Sequence, residues 1–114
     1  MRLVFKIIAS EEWRAAETAG LFLGSAADRA DGFIHLSTAA QAPETAAKWF
    51  DGQGDLTLVA VYADALGADL KWEASRGGAL FPHLYSALPM SAVKWSRSLP
   101  LGPEGRHLFG LLEE

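Results

Sequence analysis

Apolar residues fall along this chain in short runs separated by polar, glycine-marked breaks, and the period within each run predicts its structure. Leu3 to Ile8 reads as a strand, with Leu3, Phe5 and Ile7 on one face and Val4, Lys6 and Ile8 on the other, so a lysine shares an otherwise apolar face. Ser10 is placed to cap a helix through Trp13 and Ala16, with Glu11 and Glu12 in its first turn and Gly20 as its stop. Leu21 to Asp31 has no clear period and reads as an irregular connection that ends in the turn signal Asp31-Gly32. Gly32 to Ser37 predicts a second strand that turns Phe33, His35 and Ser37 one way and Ile34 and Leu36 the other. Thr38 to Gln41 matches a capping box, while Pro43 suits the first position of the main helix, which runs through Ala46, Ala47, Trp49 and Phe50 to Gly52. Leu56 to Tyr62 is nearly continuously apolar, as a central strand covered on both faces would be.

In the second half, Ala63 to Leu70 reads as a turn or short helical loop around Gly67, and Leu70 to Glu73 as a short strand. Ser75-Arg76-Gly77-Gly78 has little steric restraint and could serve as a mobile lid. Leu80 to Tyr85 is extended, with Pro82 arguing for an edge strand or a bound loop. Val93 to Leu99 reads as a further strand, Gly102 to Gly105 as a turn, and Arg106 to Leu112 as a final strand or short helix. Mixed strands and helices without an internal repeat point to one α+β domain over residues 1–114.

Composition narrows the function classes. Half of the 114 residues are hydrophobic and twelve are aromatic, which excludes a disordered chain. Ten basic against fourteen acidic residues give a net charge of −4, so no global field draws the protein to nucleic acid or anionic lipid. There is no cysteine, hence no disulfide, thiolate chemistry or cysteine-based zinc site. No run reaches the roughly 20 apolar residues of a membrane span, and a cytoplasmic location is the expectation.

Two hexads carry the most chemistry: Gly32-Phe-Ile-His-Leu-Ser37 and Leu80-Phe-Pro-His-Leu-Tyr85. Each places Phe, His and a hydroxyl at i, i+2 and i+4, which share one face of an extended segment, so His35 sits beside Ser37 and His83 beside Tyr85. Imidazole exchanges protons near neutral pH, and an adjacent hydroxyl orients a ligand oxygen or becomes a nucleophile. Two such pairs on one cleft would form a polar site with an aromatic wall. The competing explanation is that both rings are core or turn residues satisfied by backbone groups. His107 has no such setting.

Glu73 is the best acidic candidate: Trp72 anchors it, and apolar surroundings would raise its pKa, whereas a surface pair with Lys71 is the plainer alternative. Lys6 could reach a ligand phosphate or carboxylate, against simple snorkelling from a strand end. Arg76 on the glycine-rich turn could clamp an anion or be a solvated loop residue. The glycines do not follow a phosphate-loop or dinucleotide pattern, and there is neither a Gly-x-Ser-x-Gly elbow nor a His-Glu-x-x-His motif. Two histidines with Glu73 or Asp31 lack a diagnostic ligand spacing, so no metal is expected.

Asp31-Gly-Phe-Ile-His-Leu-Ser-Thr38, Trp72-Glu73 and Phe81-Pro-His-Leu-Tyr85 resemble the signature segments of the bacterial domain-of-unknown-function family 952, over almost the whole chain. The resemblance implies an ADP-ribosylation-like fold, a small α+β arrangement of split, mainly antiparallel sheets with two short helices and a cleft for NAD. It further implies roles in chain order: His35 on ribose hydroxyls, Ser37 beside the nicotinamide, and Glu73 at the oxocarbenium-like centre. The residue pattern, apart from the resemblance, adds His83 to the catalytic candidates and Lys6, Arg76, Phe81 and Tyr85 as contacts for a nucleotide-like, anionic ligand. A two-histidine phosphoesterase and a non-catalytic binding module are the alternatives.

Overall fold

The structure, a computed structural model, describes residues 2–114, apart from the side chain of Arg76. The expected strand and helix at the start are β1 (Leu3–Ala9) and α1 (Ser10–Ala19), the latter stopped by Gly20 at φ 82°. The first capping assignment is corrected: Ala9 holds the cap position, and the Ser10 hydroxyl instead meets Thr57 Oγ1 at 2.7 Å. Residues 21–31 are not irregular. They form β2 (Leu21–Phe22) and α2 (Ala26–Asp31), a third α-helix beyond the two expected. The signal for α2 is Ser25-x-x-Asp28, a capping box in which the Ser25 hydroxyl accepts from Asp28 N while the Asp28 carboxylate accepts from Ser25 N.

β3 is only Ile34–His35, and α3 is Ala42–Trp49, with the Thr38–Gln41 side chains and amides bonded reciprocally just before it. β4 (Leu56–Tyr62) follows, then a 3₁₀ stretch at Ala63–Asp69, β5 (Leu70–Ala74), β6 (Leu80–Leu84), β7 (Leu88–Pro89) and β8 (Val93–Leu99). Arg106 to Leu112 forms neither helix nor strand beyond a bridge between Leu101 and His107, and it contributes Phe109 and Leu112 as packing.

The strands make three antiparallel sheets, in the orders β1-β4-β8, β2-β7 and β3-β6-β5. β4 is central and fully covered, as its unbroken apolar run requires. One face of its sheet buries Leu3, Phe5, Leu58 and Ala60 against α3, and the other buries Val4, Ile8, Val59 and Val61 with Trp13 of α1. That second core also receives Ile34, Leu36, Leu84 and Trp72, one face of the β3-β6-β5 sheet. Period two therefore sends Phe33, His35, Glu73, Phe81, His83 and Tyr85 to that sheet's other face.

Pro82 lies in the middle strand of its sheet, not at an edge. Leu36 N donates to Pro82 O at 3.0 Å, but proline has no N–H to return, so the β3–β6 ladder stops there. The chain then crosses over, and Ser37 exchanges two backbone bonds with Phe5 of β1, at 2.7 and 2.9 Å. The proline thus ends β3 beside the histidine and joins the two sheets along the rim of a cleft. No helix among the described residues is long and apolar enough to cross a membrane.

Candidate functional site

His35 and His83 are register partners on β3 and β6. The neighbouring pair Leu36–Pro82 is the hydrogen-bonded one, so the histidines occupy the alternate position, where side chains approach most closely. Their ring centroids are 5.9 Å apart and the planes cross at 73°. Phe33 stacks on His83 with centroids 4.1 Å apart, and it also packs against His35 and Tyr85 at 4.7 and 5.3 Å.

Each ring is held by carboxylates and not by the neighbouring hydroxyl that the hexad pattern suggested for His35. His35 Nδ1 lies 2.6 Å from Asp28 Oδ1, and Nε2 lies 2.8 Å from Asp31 Oδ2. Carboxylates accept and do not donate, so both contacts are hydrogen bonds in the doubly protonated imidazolium form. Ser37, buried, pairs with Thr45 Oγ1 at 3.0 Å instead. His83 Nδ1 meets Glu73 Oε1 at 2.8 Å, and Tyr85 Oη donates to the same oxygen at 2.7 Å. Those bonds from Tyr85 and His83 hold the Glu73 carboxyl below its ordinary range, and the bond to Glu73 raises the Tyr85 phenol. The raised Glu73 pKa expected from apolar surroundings is thereby corrected, and its bonded partners are His83 and Tyr85 in place of Lys71.

Asp28 is the hub that sequence reading missed. Its side chain is 2% exposed and accepts from Lys6 Nζ on both oxygens at 3.0 and 2.9 Å, from the His35 amide at 3.1 Å, from the His35 ring and from Ser25 N. Burial alone would raise its pKa, but the bonds from His35, Lys6 and Ser25 outweigh that and hold the carboxyl well below the usual carboxylate range. Lys6 is not snorkelling: it is 6% exposed, and its ammonium also donates to His35 O at 3.0 Å. Burial pulls the Lys6 ammonium below its ordinary range, while Asp28 opposes the shift. The signal that could have found Asp28 was the capping box, since its side chain reaches from the helix start to both Lys6 and His35.

A cleft of about 450 Å³ opens beside these groups, within the range of about 300–1,000 Å³ common to small-molecule sites. Lys6, Asp28, Asp31, His35, His83, Ser37 and Thr45 form its polar end, and Phe5, Ile7, Trp49, Phe50 and Phe81 its apolar wall. Ser75, at the base of the glycine-rich turn, also lines it. That turn is closed by bonds from Ser75 N to Ala79 O and from Gly78 N to Ser75 O. Tyr85 and Phe33 line a smaller hollow of about 260 Å³ together with Arg29 and Leu84. Glu73 meets His83 away from the larger cleft and is not among its lining residues. Arg76, read as an anion clamp, has its side chain outside the described residues. His107 is bonded to Gln53 O at 2.7 Å, far along the chain from the pair. Among the described residues no group of three or more His, Asp or Glu could hold a metal ion.

The chain is similar in structure to protein CC0527 from Caulobacter crescentus. The crystal structure of that protein matches with a TM-score of 0.90 at 57% identity, covering 93% of each chain. Its solution NMR structure matches with a TM-score of 0.84 at 58% identity, over 93% of this chain and 91% of that one. No curated protein matches. A family model described as "Protein of unknown function (DUF952)" matches residues 7–96, and on that match and those identities the chain belongs to the DUF952 family.

Proposed function

We propose that the cleft binds a nucleotide-like small molecule and that His83 transfers the proton in a displacement reaction there, with His35 as the fixed polar contact to the ligand. The observation that carries this reading is the facing pair of imidazoles, 5.9 Å apart, each tied through Nδ1 to a carboxylate. With Nδ1–H donated to Glu73, the neutral His83 ring presents the Nε2 lone pair, which has no partner among the described residues. In that state it accepts a proton from an attacking water or hydroxyl, and the same nitrogen then returns the proton to the leaving group. Glu73 acts through His83, fixing tautomer and ring orientation, and Phe33 holds the ring face.

The resemblance to ADP-ribosylation-like proteins implies NAD and ribosyl transfer. The cleft offers an aromatic wall for a base and polar groups for a ribose. It offers no uncommitted cation for a diphosphate among the described residues, because Lys6 is matched by Asp28 and His35 by Asp28 and Asp31. The proton transfer at His83 needs no such cofactor. The two-histidine phosphoester reading makes a different demand, that His35 be a second proton-transfer group, one histidine serving as base and the other as acid while hydroxyls grip the phosphate.

A thermal-shift series with adenosine, AMP, ADP-ribose, NAD and a cyclic phosphodiester tests the reading, since a ligand at 100 times its Kd stabilises by about 2.7 kcal/mol. The expected result is a saturable shift with nucleosides or nucleotides that His35→Ala abolishes. Turnover of the bound compound should fall about 10²–10⁴-fold in His83→Ala, with binding kept. Absence of any shift across the series, or turnover unchanged in His83→Ala, would overturn it.

A further inference from the structure

The two carboxylates on His35 are held in opposite ways. Asp28 is buried, bonded on both oxygens by Lys6, His35 and Ser25, and cannot leave without stranding an ammonium. Asp31 is 57% exposed, and the hydrogen bond the structure gives its side chain is the 2.8 Å contact to His35 Nε2. It is the last residue of α2, immediately before Gly32 at φ 87°, an end of the helix where the backbone dipole disfavours negative charge. An exposed ion pair of this kind contributes little to stability, so swinging the side chain into solvent costs little.

We propose that Asp31 is a displaceable stand-in for the ligand: one anionic oxygen, of a carboxylate or a phosphate, replaces Asp31 on His35 Nε2 while Asp28 keeps Nδ1. This rests on the reading of the cleft as a ligand site and adds the charge class of what enters it. In the doubly protonated form of His35 that both carboxylate contacts call for, Lys6 and the ring are balanced by Asp28 and Asp31. Once Asp31 turns outward, one positive charge on the cleft wall is left to be matched by the incoming group. A single anionic oxygen satisfies it. A second finds no further cation among the described residues lining the cleft. The remainder of the ligand lies toward Phe50, Phe81 and Trp49, so the fitting molecule has an apolar or aromatic body and one anionic end. His35 thus takes its ligand through Nε2 alone, because Asp28 fixes which nitrogen faces the cleft.

Asp31 is exposed, so Asp31→Ala and Asp31→Asn are expected to fold as the parent does. The probes are benzoate and phenyl phosphate, which separate the carboxylate from the phosphate source, and neutral adenosine as the uncharged control. Titration calorimetry should give about 3- to 10-fold tighter binding of at least one anionic probe to Asp31→Ala than to the parent, since a competing carboxylate and its repulsion are gone. Asp31→Asn, which keeps an acceptor without the charge, should fall between, and adenosine should bind all three alike. In ¹⁵N spectra the anionic probe should move the His35 Nε2 resonance and leave Nδ1 in place. Anion binding to Asp31→Ala that is unchanged or weaker, or a shift confined to Nδ1, would overturn the proposal. Tighter anion binding without any turnover would support it and would count against the catalytic role of His83 alone.

Discussion

Replacing Asp28 by alanine removes an acceptor used by three donor residues at once, and the structure sets the size of the loss. The Lys6 ammonium, 6% exposed, would keep His35 O as its one hydrogen-bond partner among the described residues. Breaking a buried pair by deleting one member costs about 3–5 kcal/mol, because the other charge is left uncompensated. Loss of the bond from Ser25 N, the Asp28 half of the capping box on α2, adds about 1 kcal/mol. Asp28→Ala should therefore cost about 4–6 kcal/mol, a large part of the 5–15 kcal/mol that holds a domain of this size together. Lys6→Met should cost less, about 1–3 kcal/mol, since Asp28 keeps the His35 ring, the His35 amide and Ser25 N.

The decisive variant combines them. Lys6→Met with Asp28→Ala leaves no stranded ammonium, and the thioether chain fills the space among Val4, Ile8 and Val59. The double variant should be more stable than Asp28→Ala alone, with a coupling of about 2–3 kcal/mol. Urea unfolding followed by circular dichroism reads all three, and Asp28→Asn, which retains an acceptor, provides a milder member if Asp28→Ala does not fold. A double variant less stable than Asp28→Ala, or a cost below about 1 kcal/mol for Asp28→Ala, would refute the account of a buried charge held by this carboxylate.

Further expectations follow from neighbouring features. The folded-state pKa of Asp28 is depressed, so the stability it contributes is complete above the unfolded-state value near pH 4 and is lost as pH falls below that; denaturant midpoints of the parent should drop more steeply from about pH 4 to 2 than those of Asp28→Asn. Gly24 has φ +107°, and a Cβ there would stand 3.0 Å from Asp28 Cβ, so Gly24→Ala should destabilise by about 1–3 kcal/mol in thermal melts and disturb the His35 ring resonances. Phe33→Ala should cost about 1–2 kcal/mol and remove the ring-current shift from His83, leaving α1 unaffected, as proton NMR would report.

The elements set by local pattern were legible in the sequence. β1 and β4 declare themselves by β-branched content, and the ends of α1 by paired glutamates and a left-handed glycine. α2 was missed because six residues give too little periodicity to detect, although its capping box was written in full at Ser25 and Asp28. Pro82 misled because a missing donor usually excludes a central strand. Here β3 is two residues long, so the ladder needs few donors on that side, and the lost bond decides where the strand stops.

The same distinction between local and distant causes explains the site. Two imidazoles two residues from matching aromatics share a face by period alone, and antiparallel pairing at one register then sets them opposite each other. What holds each ring depends on where unrelated segments arrive. Asp28 bonds His35 because α2 lies against β3, and the same carboxylate meets a lysine that strand periodicity forces into the core, so the lysine on the apolar face was itself the clue that a buried acid had to exist. A buried ammonium demands a carboxylate, and the sequence offers few acids whose neighbours are not plainly solvated. Searching those acids for one with a second fixed duty, such as a helix cap, would have singled out Asp28 and, through it, the nitrogen by which His35 faces the cleft.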